Sequence, residues 1–473
     1  MKVLFTAAEA SPFIKVGGLG DVMGGLPKEL CKKGIDARVV IPLYSAIRDE
    51  FKQQMKYITN ITVENSWRNS YCGIFEAEVS GVKYYFIDNE QYFMRDSVYG
   101  QIDDGERFAF FSRAALDILP VVDFIPDIIN VNDWHTALVP VYLNALYRHR
   151  DEYRNIKTVL SIHNIEFQGN FNPYVLGDLF GLDITQREVL LYDGDLNILK
   201  GGIESADIVS TVSKRYAEEI LGTEHSFGLH NILNLRREKI RGIINGLDTN
   251  VFNPETDKFI KTNYSVKTLR NKRFNKLALQ KSMALSQRAD VPLIGMVTRL
   301  TSQKGLDLFY EVMDEISQLD IQLVVLGTGA EEYETMMRDW ENRNYDKVRG
   351  VVCFAPDIAS MIYAGADLFL MPSKSEPCGL SQMIAMRYGT IPIVHTVGGL
   401  SDTVEPYNPE TGEGNGITFN SYNSYDMLDA IKRAVSIYQN KDDRSKIRKN
   451  AMEKDVSWNI PAEEYVQMYK ELL

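Results

Sequence analysis

Short, uninterrupted apolar runs alternate with helix-patterned segments along most of the chain, and this rhythm constrains the fold more than any other feature. Strands buried on both faces read as continuous Val, Ile and Leu, and such strands belong to parallel sheets covered by helices. The chain opens with an apolar strand at 3–7 and the loop Lys15-Val16-Gly17-Gly18-Leu19-Gly20. A helix at 21–33 closed by Gly34 and a strand at 36–41 follow. Further strands are expected at 83–88, 127–132, 158–163 and 208–212. The alternation is cleaner later, with strands at 292–298, 322–326, 351–354, 368–371 and 391–395. Helices are expected between them at 305–319, 330–342, 358–364 and 381–388. The rhythm predicts two doubly wound α/β domains, residues 1–245 and 246–456.

Composition excludes several function classes. Of the 473 residues, 45% are apolar and 25% charged, as in soluble globular proteins. No apolar run reaches the ~18 residues that span a bilayer. A net charge of −12 disfavours nucleic acid and anionic membrane as partners. Cys31, Cys72, Cys353 and Cys378 are dispersed, so neither a disulfide framework nor a zinc site is indicated. The opening segment lacks the apolar stretch of a secretory leader, and a reduced, cytoplasmic protein is expected. Residues 258–288 hold nine Lys/Arg and no Asp/Glu. This stretch reads as a solvated linker and helix face, or as an anion- or polysaccharide-facing surface.

In open α/β sheets ligands bind beyond the carboxyl ends of the strands, so those loops carry the chemistry. In the first loop, Gly17 and Gly18 let a ligand approach backbone amides, and Lys15 adds charge beside Asp21. The spacing is not the dinucleotide G-x-G-x-x-G, because position 23 is Met. A phosphate–sugar cradle is the preferred reading. After the strand at 292–298, Arg299 and Lys304 can both reach one diphosphate; two solvated surface cations is the alternative. Glu376 follows another strand, in Glu376-Pro377-Cys378-Gly379-Leu380, either facing sugar hydroxyls or capping a helix. Cys378 has no activating partner nearby in sequence. Asn132-Asp133-Trp134-His135 and His163-Asn164 with Gln168-Gly169 place polar groups beside an aromatic ring at strand ends, which suits a sugar. Asn245-Gly246 adds a sugar contact or a turn. Asp193-Gly194-Asp195 spells D-x-D without a supporting ligand cluster, and His225 and His230 are not at i,i+4, so no metal site is expected. Gly398-Gly399 reads equally as a second amide cradle or as a turn with a helix cap.

Together these motifs resemble bacterial glycogen synthases and plant starch synthases over nearly the whole chain. The resemblance implies a GT-B fold: two facing Rossmann-like, doubly wound domains with the active site in the interdomain cleft. It also implies that residues 457–473, starting at Ser457-Trp458, form a closing helix that crosses back onto the first domain. The implied reaction is retaining transfer of glucose from ADP-glucose to the non-reducing end of an α-1,4-glucan, without metal or pyridoxal phosphate. Arg299 and Lys304 would neutralise the diphosphate. Lys15, Gly17, Gly18 and Asp21 would meet phosphate and sugar from the other domain. Glu376, beside Cys378, Gly379 and Leu380, would orient the glucose, and His163 would bind the sugar near the reacting centre. Asp133, Trp134, His135, Asn164 and Asn245 would line the sugar pocket, with Tyr99 a weaker acceptor contact. Three positions depart from the patterns of related transferases. His395 and Val397 stand where many relatives carry Arg and Thr, and Ile384 stands where broader GT-B transferases have a second Glu. A nucleotide-sugar epimerase and a non-catalytic glycan-binding protein are the competing readings.

Overall fold

Eighteen strands build three sheets, and their order in each explains where the loops converge. The structure is a computed structural model describing all residues, Met1–Leu473. It divides into two units, Met1–Gly246 with Trp458–Leu473, and Leu247–Ser457.

The strands of the first unit are β1 (Lys2–Thr6), β2 (Asp36–Pro42), β3 (Lys56–Asn65), β4 (Arg68–Val79), β5 (Val82–Asp88), β6 (Ile128–Asn132) and β7 (Lys157–Ile162). They continue with β8 (Asn170–Phe171), β9 (Leu191–Tyr192), β10 (Asp195–Asn197), β11 (Ile208–Thr211) and β12 (Ile240–Gly242). Nine of them form one sheet in the order β12-β11-β7-β6-β1-β2-β5-β4-β3. From β12 to β5 every pairing is parallel. The strand order reverses at β1, whose neighbours are β2 and β6, so the loops after β1 and β6 flank a switch point.

The edge departs from the all-parallel expectation. β3 and β4 form an antiparallel hairpin beyond β5. From Asn60 its residues alternate polar and apolar, Asn-Ile-Thr-Val-Glu, the period of a strand with one solvated face. A search for continuous apolar runs passes over such a pattern.

The second unit contains β13 (Leu293–Val297), β14 (Gln322–Leu326), β15 (Val348–Val351), β16 (Leu368–Met371), β17 (Ile391–His395) and β18 (Ile417–Phe419). Their order is β15-β14-β13-β16-β17-β18, all parallel. Counted within the unit this is 3-2-1-4-5-6, the Rossmann order, with its switch point between β13 and β16. Two expectations shift. β15 lies three residues before the expected 351–354, because the exposed Phe354 belongs to the following loop. The helix expected at 305–319 is broken into a 3₁₀ turn at Leu306–Phe309 and a short helix at Met313–Gln318. The left-handed Gly305 and the non-helical Val312 interrupt it.

The basic run 258–288 is neither simply solvated nor simply a binding face. Lys272 and Lys276, on the helix Lys272–Ser282, are buried. Lys272 Nζ donates to the carbonyls of Tyr363 and Ala364 and to Thr390 Oγ1 at 2.7–3.1 Å. Burial pushes this ammonium well below its ordinary pKa. Lys276 pairs with Asp367 at 2.7 Å, and Asp367 also takes Arg448. These contacts hold the helix to the sheet. No helix is long and apolar enough to cross a membrane.

Candidate active site

In the first unit the loop after β1 is shaped by a residue the motif search missed. Glu9 is 2% exposed, and its Oε2 accepts the amides of Val16 and of Gly17, the latter at 3.0 Å. Burial raises the Glu9 pKa even though these amides favour the charged form. The Gly17 amide is therefore already bound to protein, a correction to its expected contact with ligand. Gly18 opens the helix Gly18–Lys32, whose first amides have no intrahelical acceptor. Lys15 Nζ pairs with Asp21 at 2.7 Å, so Asp21 serves to hold that ammonium. Tyr99 donates its hydroxyl to Glu9, and its ring lies 4.7 Å from the His135 ring. A lone carboxylate in Ala7-Ala8-Glu9-Ala10, directly after an apolar strand, was the signal available for Glu9.

β6 and β7 end side by side, and their polar ends are wired together. Asp133 has φ +57° and ψ −177°, a conformation that non-glycine residues rarely adopt. Its Oδ1 accepts the amide of His163 at 2.7 Å and of Asn164 at 3.4 Å. Burial raises the Asp133 carboxyl to about 7. Asn132 fixes the tautomer of His163. Its Nδ2 donates to the carbonyls of Thr6 and Asn130, so its Oδ1 accepts Nε2–H of His163 at 2.8 Å. Burial lowers His163 to about 4, so the ring is neutral and its Nδ1 is an acceptor. His135 is lowered further, to about 3, by burial and then by the Arg107 charge. Its ring lies 4.3 Å from that of Trp134.

Gly169 lies flat against Trp134: a Cβ there would come within 2.4 Å of the indole. Gln168 bonds the Ile165 and Phe227 carbonyls and Asn197, which makes it a buttress for this wall. Asn164 uses its side-chain oxygen locally, accepting the amide of Glu166 at 3.0 Å. Asn245 stands past the end of β12, 5% exposed, with its side-chain oxygen unpartnered. No hydrogen bond joins it to the His163 group. Asp193-Gly194 is a hairpin turn between β9 and β10 with both residues at positive φ, a type I′ signature.

In the second unit the loops after β13 and β16 meet at the switch point. Gly305 has φ +80°, and a Cβ there would lie 2.2 Å from the carbonyl oxygen of Pro372. The Lys374 amide donates to the Gln303 carbonyl at 2.9 Å. This interlock brings Lys304 Nζ to 2.5 Å from Glu376 Oε2, which also accepts Ser373 Oγ at 2.9 Å. Glu376 is 7% exposed. Arg299 is exposed and held only by Gln303 Oε1, at 3.2 Å. Thr298, Arg299, Lys304, Ser373, Glu376 and Leu380 line a pocket of about 160 Å³.

The turn Cys378-Gly379-Leu380 runs into the helix Ser381–Arg387 and is tied by Gln382, whose Nε2 donates to the carbonyls of Cys378 and Gly379. The Cys378 thiol lies 3.5 Å from its neighbour's carbonyl, Gly379 O. The glycine pair after β17 backs this turn. The Gly399 amide donates to the Glu376 carbonyl at 3.1 Å, and a Cβ on Gly398 would lie 2.1 Å from that same oxygen. Close backbone packing, rather than an open amide cradle, is the reason for both glycines.

Chemically, one unit offers a neutral imidazole acceptor, a buried carboxyl and an aromatic wall. The other offers two cations and a carboxylate around a small pocket. No three His, Cys, Asp or Glu side chains converge in metal-binding geometry.

Comparisons with known proteins agree with this division. The starch synthase catalytic domain model matches residues 2–235, and the glycosyl transferases group 1 model matches residues 281–454. A glycogen synthase of Lactobacillus acidophilus is 48% identical, with 100% of both chains covered. That of Desulforamulus reducens is also 48% identical, covering 100% of this chain and 99% of its own. Among solved structures, the catalytic domain of starch synthase IV from Arabidopsis thaliana, bound to ADP and acarbose, superposes with a TM-score of 0.92. It is 35% identical and 99% of each chain is covered. Sucrose-phosphate synthase from Thermosynechococcus elongatus shares the fold alone, with a TM-score of 0.62 at 16% identity, covering 100% of this chain and 98% of its own. With end-to-end identity near one residue in two, and two doubly wound units that each carry polar strand ends at their own switch point, the chain belongs to the glycogen synthase family of glycosyltransferases.

Proposed function

We propose that the protein transfers glucose from ADP-glucose to the non-reducing end of an α-1,4-glucan with retention of configuration, in the cytoplasm. The observation that carries this reading is the Lys304–Glu376 pair at the switch point of a 3-2-1-4-5-6 sheet, opening on a pocket that Arg299 also lines. Breaking the glycosyl–phosphate bond puts negative charge on the diphosphate. Lys304 and Arg299 meet that charge, which removes the need for a metal or pyridoxal phosphate. Glu376 holds Lys304 in place and orients the sugar. His163 accepts a sugar hydroxyl at Nδ1, the atom its bond to Asn132 leaves free of a proton. Lys15 approaches the phosphate, and Trp134 with Tyr99 supplies an apolar platform for the glucan. The 4-hydroxyl of the acceptor attacks the anomeric carbon, the bond to the diphosphate breaks, and a departing phosphate oxygen takes the hydroxyl proton. ADP as the leaving group is supported by the starch synthase IV relative, solved with ADP. None of Cys31, Cys72, Cys353 and Cys378 is in a disulfide, which fits a reducing compartment.

The test is nucleotide release from ADP-glucose and UDP-glucose, each with and without glycogen, after treatment with a chelator. The expected result is glycogen-dependent ADP release with glucose entering the polymer. UDP release instead overturns the donor. Donor conversion without glycogen overturns the transfer, and loss of turnover on chelation overturns metal independence.

A further inference from the structure

The tip of the β3–β4 hairpin carries a tryptophan where turn chemistry asks for a small polar residue. Asn65 pairs with Arg68 across the two-residue turn Ser66-Trp67, and Ser66 has φ +59°. Such turns favour Gly, Asn or Asp. Trp67 is 70% exposed, yet its ring is fixed. Nε1 donates to Asp178 Oδ1 at 2.6 Å, on the short helix Leu176–Phe180. The Arg68 guanidinium lies 4.4 Å from the ring centroid and covers one face. Arg68 is itself held, by the Asp178 carbonyl and by Glu106 at 3.1 Å. The other face of the indole is open to solvent, where an apolar surface contributes nothing to folding. Tyr174, 95% exposed, stands one helical turn before Asp178. Two exposed rings thus flank one carboxylate.

The strand directions put this tip on the side of the sugar site. β3 and β5 both run antiparallel to β4, so β3 is parallel to β5, and through it to β2, β1, β6 and β7. The turn after β3 therefore leaves the sheet at the same end as the loops of Lys15, Trp134 and His163. Four strand spacings, about 19 Å, separate β4 from β6. The helix Asp104–Asp117 serves both places: its Glu106 holds Arg68, and its Phe108 ring lies 5.5 Å from that of Trp134. We propose that Trp67 and Tyr174 form a remote subsite for the α-1,4-glucan, supporting, several sugars back, a chain whose end lies at Trp134 and His163. The apolar face of a pyranose stacks on the open indole, and the Asp178 carboxylate accepts its hydroxyls. The subsite rests on the proposed transfer to a glucan and adds to it a preference for long chains. A net charge of −12 opposes an anionic polymer in its place.

The experiment measures kcat and KM for glycogen, for maltotriose and for ADP-glucose, each with the other substrate saturating. The proteins are wild type, Trp67→Ala, Trp67→Tyr and Tyr174→Ala. Maltotriose is too short to reach from His163 to the hairpin tip. Trp67→Ala should raise KM for glycogen about threefold to tenfold, the worth of one aromatic stacking contact. It should leave kcat and the KM values for maltotriose and ADP-glucose unchanged. Trp67→Tyr, which keeps a ring, should recover most of the loss, and Tyr174→Ala should show a smaller rise of the same kind. A rise of equal size with maltotriose would mark a disturbed fold and overturns the proposal, as does an unchanged KM for glycogen. A tyrosine variant as impaired as alanine would trace the loss to the Asp178 bond and overturns the stacking. A dimer that Trp67→Ala dissolves in sedimentation velocity, with KM for glycogen unmoved, would give the face to a second copy. Should Trp67→Ala fail to fold, Tyr174→Ala decides alone, because so exposed a ring is not needed for folding. ADP release by wild type with neither acceptor would instead remove the glucan-transfer reading, and the subsite with it.

Discussion

Asp133 shows how much of the site was readable one residue at a time. Its place at a strand end marked it as polar and functional. That its oxygen is committed to the His163 and Asn164 amides depends on β7 lying beside β6, which only the fold supplies. Glu9 went unread for the same reason, because its partners lie seven and eight residues ahead, across a loop. The raised Asp133 carboxyl gives a signed prediction. Between about 4 and about 7 the folded protein keeps a proton that the unfolded chain has released. Stability therefore falls as pH rises through that window and is level above it. Measured against Asp133→Asn by denaturant unfolding, wild type should lose roughly 2–4 kcal/mol across it. His163 and His135 are shifted the opposite way but are present in both proteins, so they cancel in the comparison. An equal pH slope in the two proteins would contradict the buried carboxyl. Lys304→Ala tests chemistry rather than folding. Turnover should drop about a hundredfold or more, while glucan binding, measured by sedimentation with glycogen, survives. Near-normal turnover would take Lys304 out of the leaving-group role.

At the scale of elements, strands with continuous apolar runs were legible and those with alternating patterns were not. β14 is buried at every position and reads directly from Gln322-Leu323-Val324-Val325-Leu326. The β3–β4 hairpin, half solvated, was passed over. Glycines were legible as loops but not as packing requirements. Gly305 and Gly34 separate the two causes. Both are left-handed, at φ +80° and +82°, but a Cβ on Gly34 meets nothing within 4 Å, whereas on Gly305 it strikes the Pro372 carbonyl. Gly34→Ala should cost only the backbone strain, about 1 kcal/mol, and leave activity unchanged. Gly305→Ala should cost about 1–3 kcal/mol more, because the β13 and β16 loops must part. It should also raise the KM for the donor, since that interlock sets the Lys304–Glu376 distance. Equal losses in the two variants, by thermal unfolding, would show that the interlock does not hold the pair.

At the scale of the whole molecule, the chain leaves the first unit after Gly246 and returns to it at Trp458. The returning helix Asn459–Lys470 carries ion pairs, Lys33–Glu463 at 2.9 Å and Lys214–Glu464 at 3.0 Å, but both are exposed and such pairs contribute little. Burial holds it instead. Trp458, Tyr465, Met468 and Tyr469 are each under 5% exposed, and Gly25 leaves room for the indole, which a Cβ would meet at 2.1 Å. At about 1.5–3 kcal/mol per buried side chain the segment contributes on the order of 6–12 kcal/mol, as much as a domain's whole stability. The Tyr469 hydroxyl also donates to Asn130 Oδ1 at 2.7 Å. Asn130 in turn bonds Ser161, which bonds Ser210, so a polar chain runs across β6, β7 and β11. Removing residues 458–473 should therefore unfold the first unit and spare the second. Limited proteolysis read by mass spectrometry should show cleavage within Asp104–Asp117 while a fragment spanning Leu247–Ser457 persists. Tyr469→Phe gives the graded version: it keeps the burial and strands one oxygen of Asn130, so the first unit should lose about 1–2 kcal/mol without unfolding. Protection of the first unit after truncation would mean that its own sheet suffices, and the return of the chain would then need a reason other than stability.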